Sequence, residues 1–237
     1  MYDVPMARTI PKDRFHDLIE AATGVFLEQG YRRTQMADVA ARMGVAKGTV
    51  YLYVESKEAL FDAVLRHADH TERIDLPAAL PVPTPAPGAT LDEVRKRLAE
   101  GGQLPVLAEA LGRRRVVDVR AEIEAIVREL YTVLSRHRVG IELLDRCAPD
   151  HPELAAVWYG GGREGALDLL RHYLEDRIRR RRLAPVEDPA VTARIVLETV
   201  VVWAVHRHWD PSPQVMDERV AERAVVDFVV RALLDAE

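Results

Sequence analysis

Apolar residues at Phe15, Leu18, Ile19, Ala22, Val25 and Phe26 recur at three- and four-residue spacing. That is one face of an amphipathic helix, and Gly30 supplies its stop. The pattern restarts at Thr34, a residue type that caps helices, and runs to about Met43 with Met36, Val39 and Ala40 inward. Gly44 permits the left-handed backbone of a tight corner. A short third helix is predicted over 46–52, anchored by Val45 and Val50. Ser56 then caps a fourth, whose apolar face is Leu60, Phe61, Val64, Leu65 and Ala68.

Helical periodicity resumes over 91–99, 117–138 and 152–182. A further helix opens with Asp188 as cap and Pro189 at its first position and runs to His208. The last is predicted from Pro213 to about Leu234. No alternating strand pattern or internal repeat emerges, so the fold class is all-α. Between the two helical regions lies LPAALPVPTPAPG, residues 76–88, whose prolines exclude a regular helix or central strand. It reads as a surface linker or insertion, with a Pro-rich ligand for a partner domain as the alternative. The final two helices are apolar almost all round: Ile195, Val196, Leu197 and 200–205 in one, Ala224, Val225, Val226, Phe228, Val229, Val230, Ala232, Leu233 and Leu234 in the other. A helix of that kind must be covered on every side, and a subunit interface is the expected cover.

The chain has 237 residues and 48% hydrophobic content, enough for one or two domains with a core. Its formal net charge is -5, and the first 72 residues are also slightly acidic, with nine basic side chains against eleven acidic ones. Any nucleic-acid binding must therefore rest on where charges sit. The single cysteine, Cys147, excludes an intrachain disulfide and suits a reducing cytoplasm. The first residues carry no apolar signal segment, and the longest apolar run is too short to span a bilayer. The expectation is a cytoplasmic protein with no membrane partner.

The helix, turn and short second helix over 34–53 read as a helix-turn-helix, a unit that lays its second helix in a DNA major groove. Each residue type there has a fitting task. Lys47 and Lys57 are point charges for phosphate oxygens. Thr49 offers a hydroxyl and a methyl to a base edge. Gly48 lets backbone approach DNA, and Tyr51 and Tyr53 end in hydroxyls that suit a phosphate or a base. Thr34 caps a helix whose N-terminus can itself hold a phosphate, with Arg32 and Arg33 beside it.

On these residues the chain resembles the tetracycline-repressor (TetR) family of bacterial transcriptional regulators. The matching pieces are Ala21-Ala22, Phe26, Gly30-Tyr31, Thr34, Val39-Ala40, GVAKGTVYLY at 44–53, and Ser56-Lys57-Glu58 with Leu60. Val54 departs from the pattern, standing where the family usually has phenylalanine. The resemblance implies a helix-turn-helix DNA-binding domain over 1–72 and a C-terminal helical ligand-binding and dimerisation domain over 90–237, with residues 73–89 the Pro-rich linker or insertion. It implies a homodimer joined through its last two helices. It implies binding to a double-stranded, inverted-repeat DNA operator, and release when a small-molecule effector enters the C-terminal domain. Thr34, Lys47, Gly48, Thr49, Tyr51, Tyr53 and Lys57 take the DNA-contact roles. For the effector the aromatic and histidine candidates are Tyr131, His137, Trp158, Tyr159, His172, Tyr173, Trp203 and His206.

Weaker signals stay open at this point. Residues 160–165, GGGREG, satisfy G-x-G-x-x-G, but their flanks are helical and the dinucleotide motif needs a preceding strand. A helix break is the better reading. Asp145, Cys147, Asp150 and His151 cluster in sequence without a standard zinc spacing, and His206 and His208 face apart on a helix. No metal site is assigned. Arg177 and the run 179–182 read as a solvated helix terminus. No nucleophile elbow, phosphate loop or carboxylate pair is visible, so the chain is read as neither an enzyme nor a cofactor binder. The alternatives to an effector-released repressor are a ligand-independent DNA binder and a metal sensor built around Cys147.

Overall fold

Residue spacing at the start of the chain produces four helices in the computed structural model, which describes residues 13–212 and 215–234. They are α1 (Arg14–Arg33), α2 (Met36–Arg42), α3 (Lys47–Val50) and α4 (Lys57–His67). Phe15, Leu18, Ile19, Ala22, Val25 and Phe26 are all buried, as the periodicity predicts. Gly30 breaks the helical geometry inside α1 at φ 76°. The expected cap is displaced by one residue. Gln35 caps α2, its N–H bonded to Asp38 Oδ2 at 2.8 Å, while Thr34 turns inward and donates its hydroxyl to Gly30 O at 2.7 Å. Thr34 thus closes α1 rather than opening α2. Gly44, at φ 66°, makes the corner between α2 and α3, where a side chain would be strained. Ser56 does cap α4, accepting from the Ala59 N–H at 3.1 Å.

The chain divides into two compact units, the first ending at Thr90 and the second starting at Leu91. The Pro-rich segment falls in the first. It returns to the helix-turn-helix, where Val54 and Val82 form an isolated parallel bridge. Among the described residues there is no other β-pairing.

α5 (Ala89–Gly101) leads into the second unit, which continues with α6 (Pro105–Gly112), α7 (Val119–Arg136), α8 (Arg138–Cys147) and α9 (Pro152–Val157). It ends with α10 (Glu164–Arg179), α11 (Pro189–Ala204) and α12 (Glu218–Leu233). α7 packs on α11 and α12, and α10 on α6 and α11. The glycine run does not end a helix: Trp158–Arg163 is a π-helical turn joining α9 to α10. A side chain at Gly162 would come within 3.1 Å of Leu98, so glycine there permits α5 to lie close. Asp188 caps α11 as expected, accepting from Ala190 and Val191. Asp217 caps α12, and Pro213, the expected start of that helix, lies outside the described residues.

Besides α8, which falls between the predicted segments, two features of this unit escape the sequence reading. α6 is short, and its N-terminus is held from a distance: both Glu129 carboxylate oxygens accept from α6, from Val106 N–H at 2.7 Å and Leu107 N–H at 3.0 Å. The second is a buried ion cluster. Arg177, read as part of a solvated helix end, is 0% exposed. Its guanidinium donates to Glu122 at 2.7 Å, to the Ala110 carbonyl at 2.5 Å and to Asp176, and it lies over the Tyr173 ring. It ties α6, α7 and α10 together. The reading fails because the run has two faces: 177 points in, while 179–182 are exposed.

Removing one partner from a buried pair strands the other charge, at a cost of about 3–5 kcal/mol. Arg177→Ala should therefore lower the unfolding free energy of the protein by about 3 kcal/mol, whereas Arg179→Ala, on the exposed side, should change it by under about 1 kcal/mol. Denaturant titration of the two variants checks this.

Candidate nucleic-acid interface

α3 has one turn, too short to hold itself, so its orientation comes from what it buries. Val50, Tyr53 and Val54 face the core of the unit, where Val39, Ala40 and Leu60 are also buried. The opposite side is solvent-facing. Lys47 and Gly48 are exposed, Thr49 is half-buried, and Tyr51 and Leu52 are 40% and 51% exposed. A Cβ built at Gly48 meets nothing within 4 Å, so the glycine leaves a flat, open patch of backbone between Lys47 and Thr49. The face thus combines a cation, a bare backbone, a hydroxyl with a methyl, and a phenol. It can meet phosphates at its ends and base edges between them.

Three of the seven sequence candidates are placed elsewhere. Tyr53 is 2% exposed, and burial pushes its hydroxyl pKa up. It is a core residue that anchors the connector after α3, since Tyr51 and Tyr53, two apart, face opposite ways. Thr34 is buried against Gly30. Lys57 reaches back to the end of α1: its ammonium donates to Tyr31 O at 3.0 Å and Thr34 O at 3.1 Å and sits 4.4 Å from the Tyr31 ring centroid. It neutralises the carbonyl end of α1, a place where cations are favoured, and its donors are directed at carbonyls. Spacing alone cannot show this, because the partners of Lys57 lie 23 to 26 residues away. Arg42 is similarly engaged with Glu28 at 2.7 Å, and that hydrogen bond holds the Glu28 carboxyl below its usual range.

The effector candidates do not come together in one place. Trp158 donates its indole N–H to Asp145 at 2.6 Å, and Asp145 in turn lies 3.7 Å from His206 Nε2. His206 Nδ1 is 2.8 Å from Glu142. Tyr159 belongs to the same neighbourhood, since burial raises its pKa first and the Asp145 charge adds to it. Tyr131 is buried in a second cluster, with its hydroxyl 3.1 Å from Glu218 Oε1 and 3.4 Å from the Trp203 carbonyl. Tyr173 bonds to Glu122 within the buried ion cluster, and burial raises its pKa strongly. His137 closes α7 beside Gly101, and His172 is exposed. Cys147 is buried, and among the described residues no three His, Cys, Asp or Glu side chains converge to hold a metal ion.

The cluster of Glu142, Asp145, Trp158 and His206 has a pH signature. The hydrogen bond to Glu142 raises the His206 pKa above 6.5, and burial raises that of Asp145 above 3.8. A group whose folded-state pKa is raised contributes stability below its unfolded pKa and loses it as pH rises through the folded value. The His206 contribution is therefore complete below about pH 6.5 and lost above it. Thermal melts from pH 5.5 to 8.5 should show wild type losing more stability with rising pH than His206→Gln does; parallel curves would remove the pair from the balance.

Comparison with known proteins bears on both units. The family described as "Bacterial regulatory proteins, tetR family" matches residues 18–64. Over 61 residues the chain is 43% identical to the HTH-type transcriptional repressor DhaR of Mycobacterium sp. (strain GP1), covering 26% of this chain and 29% of that one. Over 63 residues it is 41% identical to the HTH-type transcriptional activator FasR of Mycolicibacterium smegmatis, again covering 26% and 29%. These sequence matches span less than a third of the relatives' length. The fold extends further: the structure of the ketosteroid transcriptional regulator KstR2 of Mycobacterium tuberculosis superposes with a TM-score of 0.56, covering 97% of this chain and 99% of that one at 16% identity. The helix-turn-helix at 18–64 is thus similar to that of the tetR family of bacterial regulatory proteins, and the helices of the whole chain take a fold similar to that of KstR2.

Proposed function

We propose that this protein is a DNA-binding transcriptional repressor that acts as a homodimer and is released from an inverted-repeat operator by a small molecule bound in its C-terminal unit. The observation that carries the DNA reading is the split of α3 into an inward face of Val50, with Tyr53 and Val54 just beyond, and an outward face of Lys47, Gly48, Thr49 and Tyr51. Those four, with Leu52 at the rim, form the contact surface. The named repressor DhaR supports the sign of regulation. Release by a ligand requires that it bind two dimer geometries with different affinity. The half-buried polar groups around His206, Trp158 and Tyr159 are the anchors we assign to it.

Dimerisation rests on α11 and α12. Each buries one side within the subunit and leaves an apolar stripe outside: Val191, Ile195 and Val202 on α11, Val220, Ala224 and Phe228 on α12. Spacings of four and seven place each stripe on one helix face. Phe228 is 61% exposed, unusual for an aromatic unless something covers it. A second copy doubles the DNA contacts, which suits a DNA-binding unit of slightly negative charge.

Two outcomes follow. Gly48→Ala should stabilise the free protein by up to about 1 kcal/mol, since alanine is the better helix former and the site is open, yet weaken binding to the chain's own upstream DNA because a methyl then stands between backbone and groove. Lys47→Ala should lower the salt dependence of binding by about one ion. Fluorescence anisotropy at several salt concentrations reads both, and unchanged binding in both variants sinks the assignment. For the dimer, Phe228→Glu should give folded monomers by sedimentation velocity. Val229 is a poor probe, being only 2% exposed and part of the subunit core. A Phe228→Glu protein that stays dimeric would move the interface elsewhere.

A further inference from the structure

DNA recognition by α3 gives the Pro-rich segment no task. Its path is specific. Val82 sits between two bonds to the connector that links α3 to α4: its N–H donates to Tyr53 O at 2.8 Å, and its carbonyl accepts from the Glu55 N–H at 3.0 Å. Two residues on, the Thr84 N–H donates to the Glu55 carboxylate at 2.9 Å. The Thr84 hydroxyl lies 2.8 Å from that of Ser56, the cap of α4. Further along, Thr90 donates to Asp62 on α4 at 2.8 Å.

The sequence explains the register. In Pro81-Val82-Pro83-Thr84-Pro85 every second residue lacks a backbone N–H. The two that keep one are those that donate to the connector. An extended segment presents alternate residues to the same side, so both donors face the connector together. The prolines also restrict the free chain, which reduces the entropy lost when the segment is ordered. Val54, where the family usually carries phenylalanine, is the residue that bridges to Val82. The departure from the family pattern and the docking of the segment thus fall on one residue.

A single turn of helix depends on its connector for orientation, and the connector here has backbone groups that no helix satisfies. We propose that residues 76–88 are a strap that positions the recognition helix, with the Val82 main chain and Thr84 as its positioning residues. The proposal rests on the DNA-binding reading for its functional meaning. The strap carries no charged side chain, so it adds nothing to phosphate neutralisation; it acts through the placement of Lys47, Thr49 and Tyr51.

The test uses the full chain. Val82→Pro deletes the N–H that reaches Tyr53, Val82→Ala retains it, and Thr84→Val removes only the hydroxyl bridge to Ser56 should the proline variant fail to fold. Hydrogen exchange over residues 47–56 should speed up in Val82→Pro, less so in Thr84→Val, and stay near wild type in Val82→Ala, with α1 unchanged in all. Affinity for a duplex that the wild type selects from a random-sequence pool should fall about tenfold in Val82→Pro, as expected for losing a bond or two that fix the helix. Affinity for an unrelated duplex, and its salt dependence, should stay the same. Unchanged exchange over 47–56 overturns the strap, as does an equal loss for both duplexes, which would mean direct contact or unfolding. Should the wild type select no duplex, it is the DNA-binding reading that fails, and the exchange comparison still decides whether the strap holds the connector.

Discussion

One constraint governs the N-terminal unit: the helix proposed to face DNA is four residues long and has no stability of its own. Its geometry is borrowed. Val50, Tyr53 and Val54 fix its inner side in the core, Gly44 sets the angle at which it leaves α2, and Ser56 starts α4 immediately after it. Lys57 then locks the start of α4 to the carbonyl end of α1. Side chains that a reader of the sequence would spend on DNA are instead spent on holding α3 still. A short recognition helix can be sequence-selective only if this surrounding frame is rigid, because base-edge contacts tolerate little displacement.

Electrostatics lead to the same conclusion. With more acids than bases in the first 72 residues, long-range attraction to DNA is weak. On the proposed reading, affinity comes from a few well-placed groups and from the pairing of two subunits. With Tyr53 and Thr34 buried and Lys57 bonded to the end of α1, the proposed contact groups narrow to Lys47, Gly48, Thr49 and Tyr51, with Leu52 beside them. The second unit handles charge differently. Arg177, Glu122, Asp176 and Tyr173 form a satisfied buried network, whereas Glu142, Asp145 and His206 remain half-buried. The first arrangement fixes the packing of α6, α7 and α10. The second supplies the polar anchors of the proposed ligand site.

Local spacing and backbone preference suffice for the amino-acid sequence to place the helices with a strong periodic face, their caps at Ser56 and Asp188, the corner at Gly44 and the type of the unit. It also exposed the apolar excess of α11 and α12. The three-dimensional fold sets which charged residues are engaged within the protein, since Arg177 meets Glu122 across 55 residues and Lys57 meets Thr34 across 23. It separated Tyr51 from Tyr53, scattered the effector candidates over different clusters, and returned the Pro-rich segment to Tyr53 and Glu55. The reason is the same in each case: periodicity reports which residues avoid water, while the partner that satisfies a buried polar group is chosen by the fold.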